Sequence, residues 1–216
     1  MTKNFHYTYD YFQPLEYHFS LDSVFLAQKV AALIKNKTET NYSALDLCAG
    51  CGIIGLELSL HSEKIFKIDF LEVQEVYRSF FEKNVKMIFP ETPHLFEKYR
   101  FLNFNYDKLL VPLFEKTYDL IVCNPPYFFK GEGLLSPNQF KNRCRFFIDS
   151  DFETLIKVCV HVLKIQGAAY LLVRSGVHHG RKPIDEINII LGNSGVACIL
   201  DNIRGTDIIE IRKKAF

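Results

Sequence analysis

The chain has 216 residues, 48% of them apolar and 24% charged, with a formal net charge of +1. That balance fits one globular domain with a substantial core and excludes a disordered chain. A charge so near zero excludes a global field drawing the protein toward nucleic acid or a membrane, and no apolar run approaches the roughly 20 residues of a membrane span.

Residues 23–35 place apolar side chains at helical spacing. Val24, Leu26, Ala27, Val30, Ala31 and Ile34 share one face, and Ser20 or Asp22 is available as N-cap. Ala44–Leu47 reads as a strand entering a small-residue loop, with a helix over Ile53–Leu60 behind it. Lys64–Leu71 reads as a strand, Gln74–Met87 as a helix, Tyr99–Phe104 as a strand and Tyr118–Cys123 as a buried strand. Phe152–Leu163 predicts a helix, Gly167 a helix-to-strand turn, and Ala168–Val173 a fifth strand. Val196–Asn202 and Ile208–Arg212 are two further strands, separated by a link too short for a crossover. They predict an antiparallel hairpin at the sheet edge. Strands alternating with helices predict an α/β, doubly wound, mostly parallel sheet with helices on both faces.

Residues 45–55 read Leu-Asp-Leu-Cys-Ala-Gly-Cys-Gly-Ile-Ile-Gly, so Gly50, Gly52 and Gly55 satisfy G-x-G-x-x-G between a strand and a helix. Such a loop lets backbone approach a ligand closely. Glu72 follows Gly50 by 22 positions, at the end of the second strand, where a carboxylate can accept both ribose hydroxyls. Asp46 selects between nucleoside ligands. A dinucleotide would bring a pyrophosphate against this acid, whereas S-adenosylmethionine brings a cationic amino group and a sulfonium. The alternative is that Asp46 is a solvated or capping residue. Asn105 or Asp107, after the third strand, is the candidate for the adenine amine. Cys48 and Cys51 form a CxxC, but no second ligand pair lies at zinc spacing, so no metal is expected. The six cysteines mostly sit in apolar segments, as in a reduced cytoplasmic protein, and Met1–Asp10 lacks the order of a signal peptide.

Asn124-Pro-Pro-Tyr127 ends the fourth strand, beside the switch point where ligands bind in open α/β sheets. The prolines fix φ and aim two acceptors, the Asn124 side-chain carbonyl and the Pro125 backbone carbonyl. Together they can take both hydrogens of a planar amine and hold its lone pair toward a methyl donor, which is positioning rather than strong-base catalysis. Tyr127 can stack on the group being methylated.

On these residues the chain resembles class I S-adenosylmethionine-dependent methyltransferases, with Asp46–Gly52 as first motif, Glu72 as ribose acid and Asn124–Tyr127 as the (D/N)PPY of amino-group methylases. The resemblance implies a Rossmann-like seven-stranded sheet with one antiparallel strand. Residues 1–40 would be a lid and helix region, and 41–216 the catalytic core. Gln13–Leu26 and Asn124–Phe128 resemble bacterial tRNA (adenine-N6)-methyltransferases acting beside the anticodon of a valine tRNA, and Arg204–Asp207 and Lys213 are loosely similar. In that family the segment around Ser20–Asp22 covers the cofactor. The implied cofactor contacts are Asp22, Asp46, Cys48, Ala49, Gly50, Gly52, Glu72, Asn105 and Asn124. The implied catalytic residues are Asn124, Pro125, Pro126 and Tyr127. Cys48 and Cys51 depart from the small or hydroxyl residues usual in the loop.

The substrate is less directly written. Residues 1–129 hold 13 Lys/Arg against 16 Asp/Glu and residues 130–216 hold 13 against 9, which hints at an anionic partner on the C-terminal side. Phe128, Phe129, Lys130, Lys141, Arg143, Arg145, Phe146 and Phe147 interleave bases with aromatics, a pattern suited to single-stranded RNA. Tyr127, Phe128, Lys130, Arg143 and Arg145 are the candidate substrate contacts. His178, His179, Arg181 and Lys182 read as a solvated loop. The alternatives are N5-glutamine methylation of release factors, disfavoured because only 43 residues precede the first strand, an idle RNA-binding methyltransferase fold, and an NAD oxidoreductase. RNA, with tRNA foremost, is the expected partner. No membrane and no obligate protein partner is expected, and enzymes of the resembled family can work as monomers.

Overall fold

The computed structural model describes residues 10–91, 94–129 and 131–214. Met1–Tyr9 and the candidate contact Lys130 lie outside the described residues. The strands are β1 (Tyr42–Leu47), β2 (Ile65–Leu71), β3 (Tyr99–Leu102), β4 (Tyr118–Cys123), β5 (Leu163–Arg174), β6 (Gly195–Ile203) and β7 (Thr206–Lys213). They form one seven-stranded sheet in the order β3-β2-β1-β4-β5-β7-β6. Pairing is parallel from β3 to β5 and antiparallel for β5 with β7 and β7 with β6.

The centre of this sheet follows from composition. β1 is buried at every position and β4 at all but Asp119, as strands covered on both faces must be. Side chains alternate between two cores. Ala44, Leu120 and Val122 face one, and Leu45, Leu47, Ile121 and Cys123 face the other. The first core is roofed by α1 (Leu21–Lys35), α2 (Ile53–His61) and α3 (Tyr77–Ile88), and the second by α6 (Phe152–Val162) and α7 (Pro183–Leu191). Each fully buried Leu, Ile or Phe contributes about 1.5–3 kcal/mol. The short helices α4 (Leu95–Lys98) and α5 (Gln139–Arg145) lie outside these layers.

Three expectations change. Gly167 is not a turn: β5 starts at Leu163, immediately after α6, and runs through it. A Cβ there would lie 2.9 Å from the Asp119 backbone carbonyl, so the glycine allows β4 to pass closely. Helices α5 and α7 occupy segments for which no element is expected from the sequence. Among the described residues, no helix is long and apolar enough to cross a membrane.

Candidate active site

The crevice opens at the carboxyl ends of β1 and β4, the adjacent strands whose connections leave toward opposite edges of the sheet. Its cavity measures about 230 Å³. Cys48, Ala49, Gly50, Glu72, Asn105, Asn124, Pro125, Pro126, Tyr127, Phe128, Arg143 and Arg145 all line it, so most of the sequence candidates converge.

The loop after β1 bends with Cys48 at φ 60°, Gly50 at 54° and Gly52 at 86°. At Gly52 a Cβ would also stand 2.8 Å from the Phe81 ring. Cys48 holds the left-handed region without being glycine, at a cost on the order of 1 kcal/mol. Gly55 serves packing instead: a Cβ there would be 2.5 Å from the Phe70 ring.

Glu72, 7% exposed, grips this loop. Its Oε2 accepts the Gly50 N–H at 2.9 Å and its Oε1 the Gln74 N–H at 2.8 Å. Each carboxylate oxygen keeps another acceptor position, so the pair suits a vicinal diol. Burial pushes its carboxyl above the usual range, opposed by those two N–H groups and by the charge of Arg143.

Two acids assigned to the cofactor sit elsewhere. Asp46 is fully buried on the α2 side of β1 and does not line the crevice. Its Oδ2 accepts the Gly55 N–H at 2.8 Å, so it satisfies a free donor in the first turn of α2. This is the capping alternative. Its Oδ1 has no hydrogen-bond partner among the described residues, and burial holds its carboxyl well above the usual value. Asp22 also lies off the crevice, and its Oδ2 accepts Thr206 Oγ1 at 3.3 Å. Successive helical residues point about 100° apart, so with Asp22 toward the β6–β7 hairpin, Ser23 faces inward. Gly52, the N-cap of α2, likewise does not line the crevice.

Asn105, but not Asp107, lines the far end. Its Nδ2 donates to the Asp149 carbonyl at 2.7 Å and its Oδ1 accepts the Asp107 N–H at 3.3 Å, so its side chain orders the loop.

At the motif end, Asn124 Nδ2 donates to Ser23 Oγ at 3.0 Å, and Tyr127 Oη donates to Asn124 Oδ1 at 2.7 Å. The first bond turns the amide so that Nδ2 points at α1. The second uses one of two acceptor positions on Oδ1. The Tyr127 and Phe128 N–H groups both donate to the Arg145 carbonyl, at 3.1 and 3.0 Å, pinning the motif to the end of α5. That helix is held by Cys144, whose Sγ meets Tyr77 Oη at 3.2 Å and Gln74 Nε2 at 3.3 Å. Ser23 escaped the sequence reading although its signal was present: it is a polar residue four positions before Ala27, on the apolar stripe of α1.

The basic candidates divide. Arg143 forms a salt bridge with Asp149, 2.9 Å, and is neutralised there. Arg181 and Lys182 pair with Glu186 and Asp185. Arg145 has no ion pair among the described residues, and its guanidinium lies 5.2 Å from the Phe128 ring. Phe129 is stacked on Phe147, centroids 5.2 Å apart, as part of the second core. Among the described residues all six cysteines are free, and no group of three or more His, Cys, Asp or Glu could hold a metal.

Residues 19–136 match the model of the methyltransferase small domain family. The chain is 28% identical over 170 residues to the tRNA1(Val) (adenine(37)-N6)-methyltransferase of Shewanella sediminis, covering 79% of this chain and 63% of that protein. It is 29% identical over 142 residues to the protein of the same name from Cytophaga hutchinsonii, covering 63% and 53%. The chain thus spans less than two thirds of either relative's length. Among solved structures, the precorrin-6y C5,15-methyltransferase of Geobacter metallireducens superposes with a TM-score of 0.57 at 11% identity, covering 95% of each chain, a likeness of fold alone.

Proposed function

The chain belongs to the methyltransferase small domain family, and from that premise we propose that it methylates the exocyclic N6 amine of an adenosine in tRNA, using S-adenosylmethionine. The observation that carries the reading is the shared crevice of Glu72, Gly50 and Asn124. A diol-matched acid at one end and an oriented carboxamide at the other are the two contacts such a transfer needs.

The cofactor, when bound, supplies an electrophilic methyl group on a sulfonium. Glu72 would accept the ribose hydroxyls of the bound cofactor, and the backbone at Cys48, Ala49 and Gly50 would hold it alongside. Asn124 Oδ1 and the Pro125 carbonyl each accept one hydrogen of the target amine. Two acceptors draw the nitrogen away from planarity and direct its lone pair at the methyl group, so geometry and fixed dipoles provide the rate enhancement. Pro126 stiffens the turn, and the Tyr127 ring offers a face to the base. The segment before residue 41 closes the crevice through Tyr17, His18, Phe19 and Ser23, which line it. The relatives' names favour tRNA over a release-factor glutamine.

The test is transfer of labelled methyl groups to bulk tRNA and, separately, to release factor, with Asn124→Ala as control. Labelled tRNA carrying N6-methyladenosine, with labelling reduced about 100-fold or more in the variant, is the expected result. Label in protein and none in RNA overturns the assignment.

A further inference from the structure

The C-terminal half carries the excess of positive charge, and part of it is spent internally. Lys164 pairs with Asp119, Arg212 with Glu210, Arg143 with Asp149 and Arg181 with Glu186. Two arginines near the motif are different: Arg145 lines the crevice, and Arg174 lines an adjoining pocket with Pro125, Pro126 and Tyr127. Arg145, the last residue of α5, and Arg174, the last residue of β5, have no ion-pair partner among the described residues. Both guanidiniums lie over the same ring: Arg145 is 5.2 Å from the Phe128 centroid and Arg174 is 5.3 Å from it. Phe128 is itself partly exposed and follows Tyr127 of the motif directly.

A ring in cation–π contact with two guanidiniums holds both cations in place without neutralising either. The π face fixes the plane of each guanidinium, and its N–H donors remain free for another acceptor. Two like charges would otherwise avoid each other, so the arrangement is stable only where the ring, and in function an anion, offsets the repulsion. Planar guanidinium donors match phosphate oxygens in bidentate fashion, and aromatic rings interleaved with cations suit a single-stranded nucleic acid.

We infer that Arg145 and Arg174, both held against the Phe128 ring, form a phosphate clamp for the single-stranded RNA flanking the nucleoside whose amine enters the crevice. The inference rests on the RNA reading above and adds Arg174, at the end of β5, as a determinant of RNA affinity. The clamp grips the backbone, so it contributes affinity and register rather than base choice.

The test is the salt dependence of binding to bulk tRNA, measured by fluorescence anisotropy at several potassium chloride concentrations. Loss of one phosphate contact flattens the plot of log affinity against log salt by about 0.7–0.9. Arg174→Gln is expected to flatten the slope by that amount and raise KM for tRNA. Arg174→Lys, which keeps the charge but loses the planar fork, is expected to retain the wild-type slope. If Arg174→Gln leaves the slope unchanged, or if Gln and Lys act alike, Arg174 only packs on Phe128 and the clamp is overturned. Calorimetry with S-adenosylmethionine separates the two readings. Wild-type protein that binds the cofactor but no tRNA overturns the RNA assignment and the clamp with it, whereas tRNA binding with an unaltered slope overturns the clamp alone.

Discussion

Tyr127 Oη donates a 2.7 Å hydrogen bond to Asn124 Oδ1, so two residues of one four-residue motif hold each other at the crevice. Burial raises the Tyr127 phenol, which keeps it a neutral donor. One acceptor position on Oδ1 remains for an incoming amine. Tyr127→Phe keeps the ring and removes only this bond, worth about 0.5–1.5 kcal/mol, so methyl transfer should stay within about tenfold of wild type. Tyr127→Ala removes the stacking face, worth about 1–3 kcal/mol per base, and should lose about 10- to 100-fold in kcat/KM. Asn124→Ala should cost about 100- to 1000-fold. Equal losses for Phe and Ala at 127 would mean that the hydroxyl, not the ring, matters.

Ser23 bears on the same amide. Without the Ser23 hydroxyl, nothing seen at Nδ2 prevents the Asn124 amide from turning its donor into the crevice, where it would repel the substrate amine. Ser23→Ala should lower kcat by up to about tenfold, the worth of one net hydrogen bond, while the melting temperature moves little. An effect confined to KM for the cofactor would assign Ser23 to lining the pocket instead.

Glu72→Gln is not a conservative change in this setting. Both carboxylate oxygens accept backbone N–H groups, so an amide must set its own NH2 against Gly50 or Gln74. Loss of charge-assisted bonds to a diol costs about 1.5–3 kcal/mol each, so S-adenosylmethionine affinity should fall at least tenfold. Isothermal calorimetry measures it, and an unchanged affinity would remove Glu72 from the ribose site.

Asp46 predicts a pH dependence. Its folded carboxyl is held well above the usual value by burial, aided by the charge of Glu72 and opposed by the Gly55 N–H. A carboxyl raised on folding stabilises the protein while protonated; the contribution is complete below the unfolded value, about 4, and is lost as pH rises through the folded value. Asp46→Asn keeps an acceptor for Gly55 and cannot ionise. The stability of wild type minus that of the variant should therefore fall as pH rises above about 4. Urea denaturation of both proteins across that range gives the difference directly, and a constant or rising difference contradicts the prediction.

The α/β alternation, the strand Tyr118–Cys123 and the edge hairpin were legible because periodicity and turn residues are local properties. Helix α7 was legible but went unread: Pro183 stands in its first turn, Asp185 and Glu186 follow, and Gly192 caps it. Helix α5 was harder, since it has seven residues and is held by Cys144 against Gln74 and Tyr77, some 70 positions away in sequence.

By itself the sequence determined which residue types stand at the strand ends: glycines after β1, an acid after β2, and Asn-Pro-Pro-Tyr after β4. Order along the chain places all three at one edge of a parallel sheet, so their meeting in a single crevice was implied by connectivity. Only the tertiary structure decided where each side chain points. Asp46 turns to the amide of Gly55 and Asp22 to Thr206, while Ser23, one residue on, reaches Asn124 across 101 positions. A rotation of about 100° per helical residue, or one step along a strand, changes which face a side chain meets, and what lies on that face is set by distant parts of the chain.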